Sequence, residues 1–139
     1  MEFKQLIVYQ KALKLYSEID SKVLSINQLD KNLKDQIRRA SISIILNIAE
    51  GSSRYSSADR KNYYVISRGS AFECSAILDV IYCTSKNKFF EIESLLEEIS
   101  KMLYKMISNL KMQIVENKTS VVKGRNKQKD QPQIREQAQ

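Results

Sequence analysis

The sequence contains no histidine and no tryptophan, and it has only three glycines and one proline in 139 residues. The lack of histidine removes the usual general base, the Ser-His nucleophile pair and the commonest metal ligand. Folds rich in β-turns use glycine and proline at their bends, so the scarcity of both favours a helical protein. The longest stretch without charge, residues 40–49, is far shorter than the roughly 20 apolar residues of a membrane span. We therefore expect no membrane partner, no metal and no cofactor.

The two cysteines, Cys74 and Cys83, lie in one predicted helix. A separation of nine positions places them about 13 Å apart along the helix axis and on nearly opposite faces. They cannot form a disulfide in that geometry. We expect two free thiols that fill space in the core, which is typical of a protein in the reducing cytoplasm.

Lysine and arginine outnumber aspartate and glutamate by 23 to 16, which gives a net charge of +7. The excess is concentrated in residues 31–68, which carry eight basic and three acidic side chains. A localised basic surface favours an anionic partner such as nucleic acid.

Apolar residues recur every three or four positions in four blocks, which predicts four helices. Asn27 and Asp30 offer turn and cap chemistry before the second helix, and Ser56, Ser57 and Asp59 offer caps for the third. Gly51 is expected to end the second helix in the left-handed conformation. The fourth block has the heptad spacing of a bundle seam. The predicted fold is all-α: an antiparallel up-and-down four-helix bundle over residues 1–115, followed by a disordered basic tail over residues 116–139.

The second predicted helix has apolar residues on most of its circumference. Ile44 and Ile48 lie on one stripe, and Ile42, Ile45 and Leu46 cover much of the rest. A bundle helix needs only one apolar stripe, so this pattern predicts that a second protomer covers the outer side.

A polar ridge interrupts that apolar surface at helical spacing. A structural interpretation pairs Arg39 with Glu73 or Glu50 in a buried or interfacial network, because an unpaired buried ion costs several kcal/mol. Gly69 and Ser70 would then let two helices approach closely, whereas the alternative interpretation makes the ridge a ligand site. The predicted network consists of Arg39, Ser43, Asn47, Glu50, Gly69, Ser70 and Glu73, and the ridge continues to Arg54.

Cations and tyrosines are interleaved around the start of the third helix, and a second cationic stripe opens the second helix. Such residues neutralise phosphates and stack on bases. The candidate nucleic-acid-binding residues are Lys31, Lys34, Arg38, Arg54, Arg60, Lys61, Tyr64 and Arg68. The alternative interpretation is an ordinary solvated surface.

No catalytic constellation is apparent. Glu93, Glu97 and Glu98 cluster on the fourth helix, but metal-dependent helical enzymes draw their ligands from several facing helices. We expect these glutamates to form a solvated face and the protein not to be an enzyme.

The segment QIRRASISIILNIAEGSSR, the later SRGSAFE and the opening from Phe3 to Ala12 carry a family resemblance. The chain resembles the four helix bundle proteins encoded in intervening sequences of large-subunit rRNA genes, over about residues 1–111. The resemblance implies a homo-oligomer, specifically a pentamer. It also implies kinship with an accessory protein of diversity-generating retroelements, which binds nucleic acid and a reverse transcriptase.

Two functions remain open from the sequence. One is a non-catalytic, oligomeric accessory protein that binds RNA or DNA through basic patches. The other is a protein adaptor, for example for a reverse transcriptase, without nucleic-acid affinity of its own. A neighbouring reverse transcriptase gene would favour the adaptor, and a reading frame inside an rRNA gene would favour the RNA-linked role.

Overall fold

A computed structural model describes residues 1–129, which contain helices and turns and no strand. This confirms the predicted all-helical fold. After a short 3-10 turn, Glu2–Gln5, the helices are α1 (Ile7–Ile19, continued by a π-helical turn, Asp20–Leu24), α2 (Lys31–Ser52), α3 (Ser57–Ser85) and α4 (Phe90–Lys129).

Local side-chain chemistry sets the starts of α2 and α3. Asp30 Oδ1 accepts hydrogen bonds from the backbone N–H groups of Asn32 and Leu33, at 2.8 and 3.1 Å. Ser56 Oγ accepts one from the Asp59 N–H at 3.1 Å. Among the candidate caps, Asp30 and Ser56 are the ones used, and each satisfies N–H groups that have no partner within the helix.

The prediction for Gly51 is wrong. No glycine in the described residues has a positive φ, and Gly51 lies inside the last turn of α2. Its role is steric, because a Cβ there would lie 2.8 Å from Tyr64 Cε1 and 2.9 Å from Tyr63 Cβ on α3. The left-handed cap is instead Lys86, with φ of 61°, at the end of α3.

The four helices form a square in which each packs against its two neighbours, α1 with α2 and α4, and α3 with α2 and α4. Hydrogen bonds fix the antiparallel directions. Ser67 Oγ donates to the Ile44 carbonyl oxygen of α2 at 2.8 Å, and Ser52 bonds Tyr64 at 2.8 Å. Lys11 and Lys22 of α1 pair with Glu98 and Glu91 of α4, whose order along the chain is reversed. Every helix contributes to one apolar core, including Leu15, Ile44, Leu78 and Leu103, all at most 2% exposed.

The predicted disorder from Glu116 onward is wrong for residues 116–129, because α4 continues as a helix to Lys129. Every side chain in that segment is exposed, so it receives no support from the bundle. Residues 116–129 hold no proline, and half of them are good helix formers, so the helix is sustained by its own backbone hydrogen bonds. The remaining residues of the predicted tail, 130–139, lie outside the described part of the chain.

Within residues 1–129, no helix combines the length and the apolar character that crossing a bilayer requires.

Candidate nucleic-acid interface

The predicted nucleic-acid-binding residues lie at two separate places. Lys31, Lys34 and Arg38 lie at the start of α2, and Arg54 and the residues after it follow its end. The 22 residues of α2 span about 33 Å, so the two groups lie at opposite ends of the bundle. They do not form one continuous patch within a single chain.

At the start of α2, one of the three predicted cations is paired, and Lys31 and Lys34 form no ion pair among residues 1–129. Lys31 is exposed and Lys34 is half-buried. Arg38 Nη1 pairs with Asp35 Oδ1 at 3.0 Å on the same helix. This local pairing reduces the net positive charge of that end.

At the α2–α3 turn, Arg54 is held by three groups. Its Nη2 donates to Glu50 Oε1 and, at 2.7 Å, to the Tyr63 hydroxyl, and its guanidinium lies 4.8 Å from the centre of the Tyr63 ring. Arg54 therefore mainly fixes the geometry of the turn, since Glu50 offsets its charge.

Two further cations of the turn are free of carboxylate partners within the described chain. Arg60 is exposed, and its Nε donates to the Arg54 carbonyl oxygen at 2.7 Å. Lys61 is half-buried, and the neighbouring Tyr55 is fully exposed. No ion pair forms at either cation among residues 1–129. These side chains are positioned to contact an anion.

Tyr64 is not available for base stacking, and this part of the prediction is wrong. The ring is only 5% exposed because it packs against Gly51, and its hydroxyl bonds Ser52 Oγ at 2.8 Å. Spacing along α3 places Tyr64 near Lys61 and Arg68, but Tyr64 faces the core. Its role is structural, at the contact between α2 and α3.

Arg68 points toward α4 and meets two aromatic residues that the sequence did not single out. The guanidinium lies 4.7 Å from the ring centre of Phe72 and 5.3 Å from that of Tyr104, and its Nε donates to the Ser100 carbonyl oxygen at 3.3 Å. Phe72 lies four residues after Arg68, a helical neighbour that spacing could have revealed. Tyr104 depends on the register between α3 and α4, for which the sequence carries no direct signal.

The exposed part of α4 projects from the same end of the bundle as Arg60 and Lys61. Ser57, the first residue of α3, lies 3.1 Å from the Gln113 side-chain oxygen, so residues 116–129 extend beyond the α2–α3 turn. This segment holds five basic residues and one acidic residue. We call this region the basic end: Arg54, Arg60, Lys61 and residues 116–129.

The predicted polar network forms in part. Ser43 Oγ lies 2.8 Å from Ser70 Oγ, and Asn47 Nδ2 donates to Ser43 Oγ at 3.0 Å, linking α2 to α3. The proposed pairing of Arg39 is not formed within the chain. Arg39 and Glu73 are both exposed without an ion-pair partner among the described residues.

Gly69 also differs from its predicted role. No atom would lie within 4 Å of a Cβ at this position, so Gly69 is not a point of close approach between helices of one chain. It is exposed on α3, like Glu73 one turn later. Within residues 1–129, no other helix approaches Gly69 closely.

Packing within the bundle buries more of the apolar surface of α2 than the sequence pattern predicts. Ile44 and Ile48 are buried, and Ile42 and Ile45 are half-buried. Leu46 remains 60% exposed, and on α3 Ile66 is 51% exposed. The outer face formed by α2 and α3 therefore keeps a small apolar surface.

Comparisons with known proteins identify the relatives of this chain. Residues 4–105 match the 23S rRNA-intervening sequence protein family. A crystal structure of a protein of unknown function from the S23 ribosomal protein family of Bacteroides thetaiotaomicron is similar, with 29% identity and a TM-score of 0.65. The match covers 73% of this chain and 98% of that one. The comparison with curated proteins gave no match. The chain belongs to the 23S rRNA-intervening sequence protein family.

Proposed function

We propose that this protein is a non-catalytic, homo-oligomeric accessory protein that binds nucleic acid, with RNA as the first ligand to test, through the basic end of its bundle. The observation that carries the proposal is the shared location of the cations. Arg60 and Lys61 have no carboxylate partner in the described chain, and the basic segment of α4 projects beside them.

Electrostatics favours this end over the opposite one. Phosphate groups release counterions when cations neutralise them, and this release supplies most of the free energy of non-specific binding. At the start of α2, Asp35 already pairs with Arg38, and the nearby start of α4 adds Glu91 and Glu93. The basic end has fewer competing carboxylates.

A paired set of variants tests the location of binding. Arg60→Gln with Lys61→Gln removes two cations from the basic end, and Lys31→Gln with Lys34→Gln removes two from the opposite end. Fluorescence anisotropy with a labelled RNA should give a steep salt dependence for the parent. The first variant should reduce the slope of log K against log salt by about 2, with little change for the second.

Two outcomes would contradict the proposal. One is no RNA or DNA binding by the parent at low salt. The other is an equal loss in both variants, which would indicate a response to net charge rather than to the basic end.

The apolar face formed by α2 and α3 favours a second candidate, a protein adaptor. Leu46 and Ile66 expose more than half of their surface there. A second copy of this chain or another protein, such as a reverse transcriptase, would bury that surface. The adaptor gains support if the protein binds no nucleic acid and still self-associates through this face.

A further inference from the structure

A groove of about 640 Å³ runs between α3 and α4, away from the polar network. Its walls include Arg68, Phe72, Ser100 and Tyr104. A second hollow continues on the other side of the same arginine and aromatic side chains and reaches Lys111. The volume of the first groove is in the range of sites that hold small organic groups.

The arginine in this groove is fixed but not neutralised. One N–H is used by the Ser100 carbonyl oxygen, and the two rings hold the guanidinium plane from α3 and from α4. Among residues 1–129, no carboxylate forms an ion pair with Arg68. The other guanidinium N–H groups can therefore donate to an anionic ligand.

The rings on either side of Arg68 are largely in water. Phe72 is 53% exposed and Tyr104 is 61% exposed, and both line the groove. Large aromatic side chains with exposed faces next to a cation suit a ligand in which a flat ring with apolar faces is joined to a negatively charged group. A nucleotide within a strand has all three properties.

Charge is distributed unevenly along the groove, with acidic residues at one end and basic residues toward the other. Glu93 and Glu97 line one end, where Lys101 pairs with Glu97 at 3.0 Å. Toward the basic end the groove reaches Lys111. Lys61 lies two helical turns before Arg68 on the same side of α3, about 10 Å nearer the α2–α3 turn. A phosphate backbone would be repelled at the acidic end and attracted toward the basic one.

We propose that the groove between α3 and α4 binds unpaired bases of single-stranded nucleic acid, which stack on Phe72 and Tyr104 while Arg68 contacts the adjacent phosphate. The inference rests on the proposed function and goes further, because it assigns a preference for single strands to specific side chains. The strand then continues past Lys111 to the basic end.

Anisotropy titrations with a labelled 12-nucleotide single-stranded RNA and with the duplex of the same sequence test this site. Tyr104→Leu and Phe72→Leu keep an apolar side chain but remove the stacking ring. Each should weaken single-strand binding roughly 5- to 100-fold and leave duplex binding within about twofold. Tyr104→Phe, which keeps the ring, should bind like the parent. Unchanged helical circular dichroism and melting temperature would establish that the variants are folded.

The remaining outcomes separate this inference from the function on which it rests. If both leucine variants bind the single strand like the parent, or lose single-strand and duplex binding equally, the groove is not a base-stacking site. In that case, a loss of RNA binding in the variant with Arg60→Gln and Lys61→Gln would still support the basic end as a binding surface. If the parent binds neither RNA, both proposals fail. If Tyr104→Leu alters only the sedimentation coefficient, a second copy of the chain covers the groove and the inference is overturned.

Discussion

At the scale of single residues, the neighbouring helix decides what each side chain does. Tyr64 and Arg68 are one turn apart on α3, yet Tyr64 packs against α2 in the core and Arg68 reaches the Tyr104 ring of α4. Periodicity places residues on a helix face, but it does not say which neighbour that face meets. For this reason the sequence identified Arg68 and missed Tyr104, and it assigned to Tyr64 a surface role that its burial excludes.

A substitution at Gly51 tests a close contact between α2 and α3. Gly51→Ala would place a Cβ 2.8 Å from Tyr64 and 2.9 Å from Tyr63, so the helices or the tyrosines must shift. We expect a loss of about 1–3 kcal/mol in the free energy of unfolding, measured by urea denaturation.

Gly69→Ala is the matched control for that experiment. Gly69 is also inside a helix, but nothing lies within 4 Å of its missing Cβ. Alanine there should raise the free energy of unfolding by up to about 1 kcal/mol through helix propensity. A Gly51→Ala variant with the same free energy of unfolding as the parent would contradict the close contact between Gly51 and Tyr64.

The two thiols should differ sharply in reactivity. Burial raises the pKa of Cys74 to about 12, with a smaller contribution from Glu73, whereas Cys83 is exposed. Only the thiolate is nucleophilic, so at pH 8 a maleimide or iodoacetamide should label Cys83 and spare Cys74 until the protein is unfolded. Mass spectrometry of labelled peptides measures this, and equal labelling in the native state would contradict the buried position of Cys74.

At the scale of helices, apolar spacing and capping chemistry carried most of the prediction. The starts of α2 and α3 were bracketed by short polar residues, of which Asp30 and Ser56 satisfy the first free N–H groups. The heptad spacing of α4 located its buried stripe, for example Leu96 and Leu103. Beyond residue 115 no apolar period remains, and a solvent-exposed helix and a disordered segment then look alike in sequence.

Removal of residues 116–139 tests the independence of the bundle from the last part of α4. Residues 116–129 are exposed throughout, so the melting temperature should change by less than about 2 °C, since surface changes contribute little to stability. RNA affinity should fall because five cations and one carboxylate are removed from the basic end within the described residues. Full affinity in the truncated protein would place the binding surface on the bundle alone.

At the scale of the whole molecule, the bundle leaves an uncovered face on α2 and α3. The sequence predicted that a second protomer covers α2, and the chain itself buries Ile44 and Ile48 while Leu46 and Ile66 stay exposed. Gly69 and Glu73, which have no close partner in the described chain, lie on α3 as well. The apolar pattern of the sequence overestimates the exposed apolar surface of α2, because it does not show which helices of the same chain pack against it.

Sedimentation velocity at micromolar concentration tests self-association through this face. We expect the parent to be an oligomer, and Leu46→Lys should shift it to smaller species because a charge would be buried at the contact. Leu13→Lys is the matched control, since Leu13 is 45% exposed on α1. A monomeric parent would remove the basis for self-association, and equal effects of both variants would remove the assignment to α2.

The most direct measurement of where nucleic acid binds is ultraviolet cross-linking of the full-length protein to a bound RNA, followed by mass spectrometry of the adducts. The account predicts adducts at the α2–α3 turn, where Tyr55 is fully exposed, and at Tyr104 in the groove between α3 and α4. Adducts confined to residues 31–38 at the opposite end, or no adduct under conditions that favour binding, would contradict it.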